Sequence, residues 1–164
     1  MKIASRLVKY HVASESPDAT SRAQFKIWGN LASAFYQIPE DRFKSDIYFD
    51  QAIKLGEKDL KLNPRDASTL SSLASYYSMK GDRKNAIKYF DKALKLSPND
   101  VDIIERGIET NEILGYRNEA LKLVEKILEK GYPVSKLEKS PDLKNLIKDK
   151  RFEFLKKKFT NSTN

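Results

Sequence analysis

Apolar and small residues recur at helical spacing along most of the chain, and the intervals between the recurring sets lay out its plan. Leu70, Leu73, Ala74 and Tyr77 fall on one face of a helix, and Ala86, Phe90, Ala93 and Leu94 on one face of the next. Gly81 separates the two sets. There it can take a left-handed backbone that ends the first helix, which leaves Asp82 to cap the second, and Pro98 stops that second helix. Residues 65–100 thus predict one complete helix-turn-helix unit.

A shift of 34 residues finds relatives of this unit on both sides. Pro64 and Pro98 are 34 apart, as are Gly81 and Gly115; Ala52, Ala86 and Ala120 keep the interval twice, and so do Leu60, Leu94 and Leu128. A period of about 34 with L-x2-LA-x2-Y, then G, A-x3-F-x2-A and P is the signature of the tetratricopeptide repeat, and the chain resembles that family. The resemblance implies an all-α fold, a right-handed α-solenoid of about three helical hairpins. The hairpins are expected over residues 19–64, 65–98 and 99–131. An N-terminal helix or linker over 1–18 precedes them, capping helices over 132–159 follow, and the tail over 160–164 is expected to be disordered. A lone hairpin cannot bury its own apolar stripe, so neighbours and caps must cover it.

The flanking hairpins follow the central one with deviations. Trp28, Leu31, Ala32 and Phe35 repeat the offsets of Leu70, Leu73, Ala74 and Tyr77, which predicts a first helix from about residues 18–21 to Tyr36. Trp28 precedes Leu70 by 42 residues, so an insertion of about eight falls in QIPEDRFKSD, where Pro39 ends one helix, Phe43 is expected to tuck underneath, and the next helix resumes by about Ser45. That helix, over about 45–62, presents Ile47, Tyr48, Ala52, Ile53, Leu55 and Leu60, with Gly56 in the place of Phe90. The third hairpin places Gly107 and Asn111 where Leu73 and Tyr77 stood. Beyond Gly131 and Tyr132-Pro133, Ser140-Pro141 is expected to start a short helix and Asp149 to cap another that buries Phe152, Leu155 and Phe159. Ahead of the repeats, Ile3, Ala4, Leu7 and Val8 share a helical face, either as a docking helix or as the end of an element that continues upstream.

The segments WGNLASAF, AIKLGEKDLKLNPRDASTLSSLASYYSMKGD and GYP followed by PDLKNLIKDKRFEFL look like the C-terminal tetratricopeptide regions of bacterial signalling proteins, over about residues 25–156. Those proteins include serine/threonine kinases, adenylate cyclases and winged-helix regulators. The resemblance implies an attached sensing or docking module whose catalytic or DNA-binding part lies upstream.

Charge changes this picture little. The net charge of +8 sits at the ends: residues 31–135 hold 17 basic and 17 acidic groups, whereas residues 136–164 hold nine basic against four acidic. A fringe of lysine on terminal helices reads as solvated surface, which argues against nucleic acid or membrane as the partner. Their use of the basic ends, at Lys156, Lys157 and Lys158, stays as the rival function, and a homo-oligomeric scaffold as another. No segment reaches transmembrane length, Arg6 and Lys9 interrupt the one run that imitates a signal peptide, and there is no cysteine. These features point to the cytoplasm, although disulfide-free secreted proteins exist.

Catalytic chemistry has little to build on. His11 is the single histidine, the carboxylates do not cluster at metal spacing, and the six glycines form no phosphate loop. The chain is therefore read as a non-enzyme with no cofactor and no metal site. Trp28, Tyr77 and Phe90 are read as core and not as a base-stacking platform.

What remains is the helix face turned away from each core. In the central repeat it carries Ser68, Ser71, Ser72, Ser75 and Ser78 with Met79 beside them, within roughly one third of the circumference. In the third hairpin it reads Asp102, Glu105, Arg106, Glu109 and Glu112; in the first, Lys26, Gly29, Asn30, Ser33 and Tyr36. In the tetratricopeptide superhelix this stripe lines the concave groove. Asp102 suits the start of its helix, but Glu109 and Glu112 lie toward the carbonyl end where the dipole disfavours them. Five serines are poor helix formers for a merely exposed face, and their small hydroxyls leave room for a ligand backbone. A clamp for chaperone C-termini would need Lys, Asn and Arg across the groove. Only Asn30 and Arg106 fit, and Gly29, Ser33 and Asp102 do not. The expectation is a groove that binds a protein or peptide segment carrying Lys or Arg.

Overall fold

The computed structural model describes residues 21–160. The proposed N-terminal helix, His11 and the last four residues lie outside that range. Eight α-helices and two 3-10 turns make up the described chain, with no strand among the described residues: α1 (Ser21–Tyr36), a turn at Pro39–Asp41, α2 (Arg42–Leu62), α3 (Ala67–Met79), α4 (Arg83–Leu96), α5 (Val101–Ile113), α6 (Arg117–Leu128), α7 (Val134–Lys139), a turn at Pro141–Leu143, and α8 (Lys150–Thr160). The protein is all-α, as its periodicity predicts, and its helices pair as tetratricopeptide-like hairpins. Two compact units divide between Thr69 and Leu70, within α3.

In the first unit α1 and α2 form an antiparallel hairpin. Phe25, Leu31, Ala32 and Phe35 of α1 are buried, with Phe49, Ala52 and Ile53 of α2. Tyr48 stacks on both Trp28 and Phe35, with ring centroids 5.6 and 5.2 Å apart. Arg42 closes the connection, its Nε donating to the Tyr36 carbonyl at 2.9 Å and its guanidinium lying 4.6 Å from the Tyr36 ring centroid. The second helix starts three residues before the expected Ser45, and this changes Phe43. It is not tucked under an insertion; it sits on the first turn of α2 with 69% of its surface exposed, and Ile47, one turn on, is exposed as well.

In the second unit the hairpins end as the sequence signals require. Gly81 has φ +77, its N–H donates to Ser78 O at 2.9 Å, and the next N–H, of Asp82, reaches back to Tyr77 O at 2.9 Å. This left-handed cap closes the orphan carbonyls of α3, and Gly115 and Gly131 repeat it after α5 and α6. Asp82 accepts from Asn85 N at 3.0 Å, and Asp100 accepts from Asp102 N and Ile103 N, so α4 and α5 have side-chain caps, whereas α6, with Tyr116 at its N-cap, has none. Ala52, Ala86 and Ala120, at one interval, are all fully buried, so the 34-residue period is a packing period.

The C-terminal segment contributes Leu137, Leu143, Leu146, Phe152 and Leu155 to one core with Ile104, Ile108 and the apolar face of α6. Asp149 caps α8 as expected, its carboxylate accepting from Arg151 N at 2.9 Å. The short helix α7 is an addition to the expected elements, and it buries a single residue, Leu137.

Candidate protein-binding site

The stripe residues fall in both units. Lys26 and Asn30 are exposed on α1 with Ser33 half-buried, and Ser68 is exposed at the start of α3, all in the first unit. The others belong to the second unit, where several of them meet.

The meeting point is Arg106. Its Nη1 donates to Ser72 Oγ at 2.7 Å and to Ser71 Oγ at 3.1 Å. Ser72 and Arg106 are separated by 34 residues, so equivalent positions of successive repeats touch across the α3–α5 contact. Serine is short enough for a guanidinium to lie down on the neighbouring helix, and Arg carries several donors in one plane, so one nitrogen can serve two hydroxyls. Tyr76, one turn beyond Ser72, is buried, and burial raises its phenol pKa although the Arg106 charge pulls it down. Tyr76 was not among the expected groove residues. Its spacing of four from Ser72 was the available signal, but the pairing of Tyr77 with the apolar set obscured it. Tyr77 is only half-buried and stacks on Tyr89 at 5.5 Å.

The serine stripe is less open than a groove floor. Ser71, Ser75 and Ser78 are buried, and Ser78 Oγ donates to the Ser75 carbonyl at 2.8 Å within the helix. Ser72 and Met79 are half-buried, so the accessible part of α3 in this unit is narrow.

The acidic stripe of α5 is engaged residue by residue. Glu112 forms a two-armed ion pair with Arg117 across the Gly115 turn, the second contact being Arg117 Nε to Glu112 Oε2 at 3.2 Å, and its side chain is 7% exposed. Glu112 thus ties α5 to α6. Glu109 accepts from Ser140 Oγ at 2.7 Å, which joins α5 to the C-terminal segment. Burial pushes the Glu109 carboxyl up to about 7, the Asp142 and Glu105 carboxylates add to that, and the Ser140 hydroxyl and Arg106 oppose it. Glu105 is half-buried, and burial first and then this carboxylate raise the pKa of the Tyr132 phenol. Ser140, Asp142 and Tyr132 were invisible as site residues in the sequence, because only the fold brings the C-terminal segment to α5.

The rest of the chemistry is spare. Among the described residues no group of His, Cys, Asp or Glu is placed to hold a metal ion, and no helix is long and apolar enough to cross a membrane. At the basic C-terminus, Lys156 pairs with Glu138 at 2.6 Å, Lys158 with Glu125 at 2.8 Å, and Arg151 with Asp149 at 2.7 Å. Lys157 is exposed.

Residues 67–100, from α3 to the cap of α5, match the family model of the tetratricopeptide repeat. No curated protein gives a significant match to the chain. The central hairpin is therefore similar to a tetratricopeptide repeat, and repeats of that family generally mediate contact between proteins.

Proposed function

We propose that the chain is a non-enzymatic protein-binding module that holds a segment of a partner, extended or helical, along the stripe formed by α3 and α5. The observation that carries this reading is the Arg106 contact with buried Ser71 and half-buried Ser72: a long cation held down on the small hydroxyls of the preceding repeat leaves a low, polar, fixed strip. Lys26, Asn30, Ser33 and Ser68 hold the corresponding repeat positions within the first unit, and on α3 half-buried Met79 and buried Ser75 belong to the same stripe. Glu105 and Glu109, with Asp142 beside them, favour a partner segment that carries Lys or Arg, and they contribute specificity and encounter rate more than bulk affinity. Glu112 takes part indirectly, since its carboxylate already holds Arg117. In this reading the module serves in the cytoplasm as the docking or sensing part of a signalling protein.

The pairing of Lys156, Lys158 and Arg151 with local carboxylates favours a protein partner over a polyanion. A polyanion reading requires binding to DNA, RNA or anionic vesicles that weakens steeply with salt. The test of the protein reading is a pull-down from native lysate with the parent and with Glu105→Lys/Glu109→Lys, both first shown to be folded. Partners lost only from the charge-reversed variant support it. The same partners from both would contradict the acidic selection, and recovery of the same chain alone would assign the surface to self-assembly.

A further inference from the structure

The first unit carries an apolar patch that the reading above does not use. Phe43 and Ile47 stand one turn apart on α2, with 69% and 65% of their surface exposed. Both belong to the stretch by which the first hairpin exceeds the 34-residue period, and α2 accordingly has 21 residues where α4 has 14. A single exposed apolar side chain, such as Leu62 at the other end of α2, needs no explanation. An adjacent aromatic and aliphatic pair on an added element does.

The chain also holds an apolar set that no described element absorbs. Ile3, Ala4, Leu7 and Val8 share one helical face in the residues ahead of α1. That run has a sign, because Lys2, Arg6 and Lys9 stand among residues 1–14 with no Asp or Glu. Around the patch the balance is the opposite: residues 40–50 carry Glu40, Asp41, Asp46 and Asp50 against Arg42 and Lys44. Arg42 is turned to Tyr36, and Lys44 reaches Asp41 while lying 5.5 Å from the Phe43 ring. Asp46 and Asp50 are exposed and share the face of Phe43 and Ile47 at i, i+3, i+4 and i+7.

Reach permits the two sets to meet. α1 and α2 are antiparallel and Arg42 bonds to Tyr36, so the patch lies at the end of the hairpin away from Ser21. The 16 residues of α1 span about 24 Å, and residues 12–20 can cover about 30 Å when extended. The size of the patch then decides between occupants. Two side chains fall well short of the roughly 800 Å² that each partner buries in a stable interface, which disfavours a second copy or a separate protein. A tethered segment needs far less area, since its effective concentration is on the order of millimolar.

We propose that residues 1–11 dock on the first turns of α2, with Ile3 and Leu7 against Phe43 and Ile47 and the basic side chains among them facing Asp46 and Asp50. The inference goes beyond the α3–α5 reading and stands without it, because the two surfaces share no residue.

The test uses the full chain, which has no cysteine, so Ser5→Cys gives one attachment point for a nitroxide spin label. At 100° per residue that position points away from Ile3 and Leu7. With the label oxidised, the backbone amides of Phe43 and Ile47 should lose most of the intensity they show with the label reduced. Ile3→Ser/Leu7→Ser should restore it. Amides at Phe43 and Ile47 that keep their intensity would overturn the proposal, as would broadening that the Ile3 and Leu7 substitutions leave unchanged. Broadening of the same amides in isotope-enriched, unlabelled chains mixed with spin-labelled ones would overturn it too, by assigning the patch to a second copy.

Discussion

A Cβ built on Gly107 would lie 2.2 Å from the ring of Phe90, closer than any side chain can come. The third repeat therefore lacks a side chain where the second has Leu73, because the second repeat sends the Phe90 ring into that space. Gly107→Ala gains about 1 kcal/mol of helix propensity, but forcing the ring aside costs about 1–3 kcal/mol. We expect a net destabilisation of up to about 2 kcal/mol in denaturant unfolding, and the double variant Gly107→Ala/Phe90→Leu should recover most of it. A stabilised Gly107→Ala protein would show that Phe90 moves without resistance.

Glu109 should give the protein a pH dependence of definite sign. Its carboxyl ordinarily titrates near 4.5 and in the folded chain near 7, so between those values the unfolded state releases a proton that the folded state keeps. Stability then falls as pH rises through that window and levels off above it. The loss is roughly 1–3 kcal/mol. Asp149, held below its usual range by Arg151, acts in the opposite sense and only at lower pH, where acid removes its contribution. Glu109→Gln should flatten the 4.5 to 7 arm of a melting-temperature profile, and an unchanged profile would contradict the assignment.

Thr110 is fully buried, and its Oγ1 has no hydrogen-bond partner among the described residues. Thr110→Val keeps the shape and removes a desolvated hydroxyl, so it should leave stability equal or raise it by about 1 kcal/mol. A loss above about 1 kcal/mol would mean that the hydroxyl is satisfied in solution.

Two phenylalanines of α8 separate core from surface. Phe152 is fully buried in the core that α5, α6 and the C-terminal segment share, whereas Phe154 is 67% exposed. Phe152→Ala should cost about 3–5 kcal/mol, and Phe154→Ser should stay within about 0.5 kcal/mol of the parent. Similar losses from both would put the register of α8 in doubt.

Where local chemistry decides, the sequence was readable. Gly81, Gly115 and Gly131 end helices by a backbone conformation only glycine adopts cheaply, and Asp82, Asp100 and Asp149 cap α4, α5 and α8. The 34-residue interval was readable for the same reason, because each turn is written in neighbouring residues.

What depends on the neighbour was not readable. A helical wheel placed Ser71, Ser75 and Ser78 on an open face, but burial is set by what packs over a face and not by its polarity. Phe43 looked too apolar to be exposed, yet it stands one turn before the α2 positions that meet α1. Glu112 and Arg117 are five residues apart, and their pairing depended on the turn at Gly115 that folds the chain back. Helix α7, with only Leu137 buried, carries no periodicity to find.

The central claim is that a partner segment lies along α3 and α5 of the second unit. It is tested most directly by adding the Lys- or Arg-bearing segment of a captured partner to isotope-labelled protein and following the backbone amides. The account predicts the largest shifts at Ser72, Glu105 and Arg106, and an affinity weakened at least about ten-fold by Glu105→Lys/Glu109→Lys in a variant first shown to be folded. Shifts that leave those three amides unmoved, or an affinity that the charge reversal does not change, would contradict it.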